Sequence, residues 1–275
     1  MKRIKATPYK VIAAVVLAAL AFFFIFPLYW ILTGSVKTAA VINDAVPQWF
    51  PLSPTADNYQ RLFDNPALLW LFNSVAMAVL AMGLTCVTAS MAGYVLAKKR
   101  FIGRAVLFSI FICAMALPKQ VILIPLLREM SFLNLHDSMW AVILPTVGWP
   151  FGVFLMKQFS ENIPGELLEA ARIDGAGEVR MFTEIVLPII KPGIGALAIF
   201  TFINCWNDYF LQLIMLNSRT KLTISLGIAK LQAEMSTDFG LIMAGAALAA
   251  VPIITIFLMF QKYFTKGITM GAVKG

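Results

Sequence analysis

Charge is scarce in this chain of 275 residues: 13% are Asp, Glu, Lys or Arg, with 14 acids against 22 bases. Together with 60% hydrophobic residues and a mean hydropathy of +0.83, that scarcity excludes an ordinary soluble domain and points to a bilayer. Histidine occurs once, at His136, so no histidine-based metal cluster or Ser-His-Asp triad can be assembled, and His136 reads as a loop residue without a role. The three cysteines, Cys86, Cys113 and Cys205, fall inside apolar runs without paired or Cys-x-x-Cys spacing, which suits small buried hydrophobes. No Gly-x-x-x-x-Gly-Lys-Ser/Thr loop is present, so the chain shows no means of cradling ATP. With no acid-base pair, metal cluster or selectivity repeat in the apolar runs, an enzyme or channel working alone lacks support, and neither a catalytic nor a metal site is expected.

What is present is a series of long apolar runs. A helix needs about 20 such residues to cross roughly 30 Å of hydrocarbon, with its backbone groups bonded internally. Six runs qualify: Val11 to Leu32, Leu69 to Ala97, about Ala105 to Leu127 with a break near Pro118 and Pro125, Met139 to Met156, Pro192 to Leu216, and Leu241 to Phe264 with a kink at Pro252. A barrel is excluded, since its strands would alternate in polarity over about ten residues. The basic start and first run are too long for a cleavable signal peptide, whose apolar part is about 7 to 15 residues, and read as an uncleaved first span.

Basic residues collect on the cytoplasmic side of short loops. With both termini inside, fifteen of the 22 bases lie in the cytoplasm, among them Lys98, Lys99, Arg100, Arg104, Lys157, Arg172, Arg180 and Lys191. The seven left outside are Lys37, Arg61, Lys119, Arg128, Arg219, Lys221 and Lys230. Topology and anionic lipid headgroups account for the net charge of +8, and no nucleic acid is needed to explain it.

The polar segment from about 158 to 191, between the fourth and fifth runs, then lies inside and reads as two short helices around a turn. Ile163-Pro164 opens the first, Glu166 and Glu169 suit its N-terminal half, and Leu167, Leu168, Ala170, Ala171 and Ile173 supply an apolar surface. Gly175 suits the closing position. Asp174 could cap the second helix, which carries Val179, Phe182 and Val186 before Pro188 and Pro192 redirect the chain into the fifth span. An ordinary amphipathic loop on the membrane surface would share some of these traits. The ordered run Glu-Leu-Leu-Glu-Ala-Ala-Arg-Ile-Asp-Gly-Ala, followed by Phe182, Ile185, Leu187 and Pro188, instead resembles the EAA signature of ABC importer permeases.

The resemblance covers most of the chain and points to the carbohydrate branch of these importers. Phe26-Pro27-Leu28-Tyr29-Trp30, Phe101-Ile102-Gly103-Arg104, Ile143-Leu144-Pro145, Trp206-Asn207-Asp208-Tyr209-Phe210 and the ending Gly267 to Gly275 all fit it. That ending is similar to the second permease of maltose-type transporters, with Met270 where a small residue is more usual. The resemblance implies an all-α integral membrane protein, six transmembrane helices with a cytoplasmic coupling helix between the fourth and fifth, forming a single permease domain over residues 1–275. It implies a multi-pass protein of the bacterial inner membrane, working with a homologous permease, two cytoplasmic ATPases that use ATP and Mg, and an extracytoplasmic solute-binding protein. The chain itself would bind no cofactor and hydrolyse nothing. Its solute would be a sugar or oligosaccharide; the nearest alternative is the same architecture carrying a non-sugar solute such as glycerol-phosphate. Glu169, Ala170, Ala171 and Gly175 would make the ATPase-coupling contact, with Asp174 holding the turn. The segment Ser35 to Leu68, rich in prolines and aromatics, would offer the binding protein a landing surface.

In the fifth run Asn204, Asp208 and Gln212 recur at four-residue steps with Asn207 alongside, so a continuous helix would put them on one face. Asp208, an acid within a span, reads as part of a translocation path or gate, or as interhelical glue. The tail from 265 to 275 is glycine-rich and basic, which on physical grounds suits a flexible cytoplasmic segment. The family resemblance assigns Gly271, Lys274 and Gly275 to contact with the ATPases.

Overall fold

The structure, a computed structural model, describes residues 8–234 and 238–272, with side chains as far as Gln261. Every regular element among them is helical. The first seven helices are α1 (Pro8–Gly34), α2 (Ala39–Ile42), α3 (Asp57–Phe63), α4 (Ala67–Lys98), α5 (Arg104–Met115), α6 (Lys119–Phe132) and α7 (Trp140–Val147). The rest are α8 (Phe151–Glu161), α9 (Gly165–Ile173), α10 (Glu178–Arg180), α11 (Leu187–Asn207), α12 (Tyr209–Met215), α13 (Ile224–Glu234) and α14 (Phe239–Ala272). A π-helical turn, Met181–Val186, joins α10 to α11.

Five stretches are long and apolar enough to cross a bilayer: Pro8–Gly34, Ala67–Lys98, Trp140–Glu161, Glu178–Asn207 and Phe239–Gln261. α5 and α6 together make a sixth, bent by 107° at their break. Pro118 is the extended residue that starts α6, and its ring disfavours helical geometry at Leu117, which suits the break between α5 and α6. Two other prolines behave differently from expectation. Pro125 and Pro192 sit inside helices without ending them, whereas Pro252 lies inside α14, where the expected kink would place it.

The fifth span is the largest correction. Expected from Pro192 to Leu216, it runs as one helical rod from Glu178 to Asn207. Pro188 and Pro192 therefore do not redirect the chain. The π turn explains how Pro188 is accommodated: the Leu187 N–H donates to the Phe182 carbonyl, a five-residue step. That widens the turn where the proline ring would otherwise press on the carbonyl four residues earlier.

The described residues pack into two compact units, one of 8–67 with 228–234 and 238–250, the other of 68–227 with 251–272. In the first, α1 is apolar all round, with Phe22, Phe23 and Phe24 each more than 70% exposed, a surface that only lipid or another subunit can cover. Beyond it, the Asn58 amide donates to the carbonyls of Ser35 (2.9 Å) and Lys37 (2.7 Å), and Arg61 pairs with Asp57 and Asp238.

In the second unit α4, α8 and α11 form the core, and small residues set their spacing. A Cβ built on Gly93 of α4 would lie 2.6 Å from the backbone nitrogen of Lys157 in α8. Backbone cannot rotate away as a side chain can, so Gly93→Ala should lower the thermal unfolding midpoint of the purified protein, consistent with about 1–3 kcal/mol of overpacking. Gly83→Ala, in the same helix but with nothing within 4 Å, should leave the midpoint unchanged or raise it.

Candidate functional site

The segment between the fourth and fifth spans forms a knuckle whose parts follow from local rules. Pro164, extended at φ −59° and ψ 133°, leads into α9, with Glu166 in its first turn and Arg172 in its last. The helix is closed by a double bond pattern: the Gly175 N–H donates to Arg172 O (3.0 Å) and the Ala176 N–H to Ala171 O (2.9 Å). That pattern needs a left-handed residue, supplied by Gly175 at φ +79°. Asp174 is the last residue before that turn and its backbone N–H donates to Ala170 O (3.0 Å). The residue that starts α10 is Gly177, with no side-chain cap, so Asp174 does not cap the second helix as expected.

α9 has two faces, and they divide the paired alanines. Leu168 and Ala171 are buried, in a cluster with Tyr94, Ile163, Met181 and Val186. Glu169 and Ala170 are exposed, as are Leu167, Ile173 (86%) and Val179 (78%). The apolar surface expected as one piece is thus split, half of it gripping this chain and half of it bare.

The grip extends to the end of α4. Lys98 donates through Nζ to the carbonyls of Glu161 (3.1 Å) and Ile163 (2.6 Å). Lys99 pairs with Glu178, which also faces Arg172 at 3.6 Å. The Tyr94 ring lies 5.7 Å from that of Phe182, and its hydroxyl meets the Met181 sulfur at 3.6 Å. α9 is therefore bolted to α4 and to the start of the rod 178–207.

At the far end of the rod the expected one-sided polar ladder is absent, because the helix breaks at Asp208 (φ −78°, ψ 69°). The three residues diverge. The Asn204 amide donates to Phe200 O on its own helix (2.8 Å), while Gln212 is buried, donating to Cys205 O (2.8 Å) and accepting from the Thr223 hydroxyl (2.5 Å). Asp208 accepts the Leu211 N–H at 3.4 Å and pairs with Lys119 at 3.3 Å. Asn207, the last residue of α11, is exposed. Of the expected path residues, Asp208 and Gln212 hold the break, joined by the Gln212 N–H to Asp208 O bond (3.2 Å), with Asn207 exposed beside them and Asn204 bonded back to its own helix.

Lys119, expected outside, opens α6 beside the 107° bend, and its ammonium stands 4.9 Å from the centre of the Trp149 ring. A lone charge in an apolar stretch was the signal that could have linked it to Asp208. Asp137 was also missed. In a left-handed conformation (φ 55°), its carboxylate accepts the N–H groups of Asn217 (2.9 Å) and Ser218 (3.0 Å) and pairs with Lys221 (3.3 Å). Burial alone would raise its pKa, but the bonds from Ser218, Asn217 and Lys221 outweigh that and hold it well below the usual carboxylate range. In the tail, α14 continues as helix through Ala272 and so includes Gly271, whose surroundings are not described. Lys274 and Gly275 lie outside the described residues.

Fold and site define a polytopic, all-helical membrane protein. The model of the family "binding-protein-dependent transport system inner membrane component" matches residues 89–270, and the chain belongs to that family. It is 34% identical to the arabinooligosaccharides transport system permease protein AraQ of Bacillus subtilis, over 97% of this chain and 96% of that one. It is 33% identical to the maltodextrin transport system permease protein MdxG of the same organism, with the same coverage. Identity to the sulfoquinovosyl glycerol transport system permease protein SmoH of Agrobacterium fabrum is 34%, over 91% and 89% of the two chains. A crystal structure of a bacterial ABC transporter involved in import of the acidic polysaccharide alginate superposes with a TM-score of 0.83, covering 96% of this chain and 99% of that one at 21% identity; at that identity the likeness is one of fold.

Removing one partner of a part-buried pair strands the other charge, which is worse than removing both. Lys119→Met and Asp208→Leu should each lower the thermal midpoint of the purified protein more than the double variant does. Additive losses would show that the pair is not a unit.

Proposed function

We propose that this chain is one of two membrane-spanning subunits of an ATP-driven importer that carries a sugar or oligosaccharide across the bacterial inner membrane. Relatives named for arabinooligosaccharides, maltodextrin and sulfoquinovosyl glycerol support a glycoside cargo over glycerol-phosphate. A second structure of similar fold, with a TM-score of 0.63, is titled as an alginate transporter in complex with a pentasaccharide-bound periplasmic protein, which supports a separate solute-binding protein as partner. The remaining partners are a homologous permease and two cytoplasmic ATPases that consume ATP and Mg. Both termini face the cytoplasm, which puts α9 on the ATPase side.

The two-faced α9 is the observation that carries the coupling role. Its outer face, with Leu167, Glu169 and Ala170, meets the ATPase, and the small side chain of Ala170 permits close approach. Its inner face, with Leu168 and Ala171, passes the displacement to α4 and to the rod 178–207. Closure of the ATPases on ATP then becomes rearrangement of the bundle. The tail 265–275 is an additional contact with the ATPases, and deleting 267–275 should alter ATPase regulation while leaving assembly intact.

A cysteine introduced as Ala170→Cys should crosslink to the ATPase subunit in the assembled transporter. Gly175→Pro cannot hold φ near +79° and removes the N–H bonded to Arg172. It should cut solute-stimulated ATPase activity and uptake by an order of magnitude or more, and Glu169→Lys should weaken both. Full coupling in these variants, or an Ala170→Cys chain that never crosslinks to a hydrolytic subunit, would remove the assignment.

A further inference from the structure

A cavity of about 570 Å³ opens at the start of α5, bounded by Phe101, Gly103, Arg104, Val106, Phe108 and Lys157. It belongs neither to the α9 knuckle nor to the break at Asp208. Its lining combines the apolar Phe101, Val106 and Phe108 with the cations Arg104 and Lys157. Lys157 is buried, with its ammonium 4.1 Å from the centre of the Phe108 ring and bonded to Glu161 at 2.5 Å. Glu161 neutralises that charge, so Arg104 supplies the excess. One of its Nη atoms donates to Lys99 O at 3.3 Å, which leaves most of the five-donor guanidinium fork for a ligand.

The surroundings are cationic on balance, although Lys99 is paired with Glu178. Residues 98–104 hold four bases, Lys98, Lys99, Arg100 and Arg104, and no acid occurs between Asp64 and Glu129. The depth is also defined. Arg104 is the first residue of α5 and Lys157 lies in the last turn or so of the span ending at Glu161, so the cavity sits where the chain passes from hydrocarbon to headgroups. Beside it Ile102 is fully exposed and Val106 is 65% exposed, which gives an apolar surface for acyl chains.

We infer that the cavity binds the phosphodiester headgroup of an anionic phospholipid, held by Arg104 with Lys157 behind it, while an acyl chain lies along Val106 and Phe108. A guanidinium fork matches paired phosphate oxygens, and basic pockets between membrane helices are suited to anionic headgroups. The inference rests on the membrane placement and not on the identity of the solute.

The test is native mass spectrometry of the transporter assembled with its partner subunits, after exposure to vesicles of mixed phosphatidylglycerol and phosphatidylcholine. The expected result is a retained phosphatidylglycerol in preference to phosphatidylcholine, bound about fivefold more weakly in Arg104→Gln, the factor one cation contributes near an anionic headgroup. Val106→Trp, which puts a bulky ring where the acyl chain would lie and keeps the charge of the cavity, should also weaken lipid retention and serves if Arg104→Gln fails to assemble. Equal retention of both lipids, or unchanged retention in both variants, would overturn the site. Displacement by inorganic phosphate alone would reassign it to a soluble anion, and a crosslink from Val106→Cys to the sister subunit with no lipid retained would make it a subunit interface. A failed uptake assay with any sugar leaves all of these outcomes as they are.

Discussion

A peptide group in hydrocarbon has no water to turn to, so each interruption of a membrane helix leaves donors and acceptors that side chains must take up. At Asp208 this requirement is met by a small set of residues. The Asp208 carboxylate accepts the Leu211 N–H at the start of α12, and the Gln212 amide donates to Cys205 O in the last turn of α11. Thr223 then satisfies the Gln212 oxygen, and Lys119 the Asp208 charge. Polar residues that would be expensive in a continuous span are here what permits the span to be discontinuous.

The same requirement shapes the other end of the rod. Helical residues 178–207 number 30, roughly 45 Å at 1.5 Å per residue. The π turn keeps the backbone bonded past Pro188, so the rod stays unbroken from the α9 clamp to Asp208. In the proposed transporter a push on α9 is thereby delivered at the polar break. Rigidity between the two points is what makes the transmission mechanical.

The apolar runs were legible because hydrocarbon imposes length and composition on any helix that crosses it, and Gly175 because a left-handed closing residue has few alternatives. Prolines were an uneven guide: Pro118 breaks the chain as expected, whereas Pro125 and Pro192 remain within helices. The Asp208 break left no proline or glycine as a marker. Its signature was an Asn-Asp pair at a cap position, hidden inside an apolar run. Which alanine of the pair faces outward could not be read from composition. It depends on where Tyr94 arrives from α4 and how the chain turns back to bring Met181 and Val186 against α9.

The bare outer face of α9 bears on the life of the chain before it meets its partners. Leu167, Ile173 and Val179 project from the polar segment, left exposed by the described residues, and the clamp to α4 keeps them displayed instead of letting them fold inward. An orphan copy would therefore advertise its solitude to chaperones and proteases, and association would erase the signal. The geometry that readies this surface for a motor would also serve to police stoichiometry.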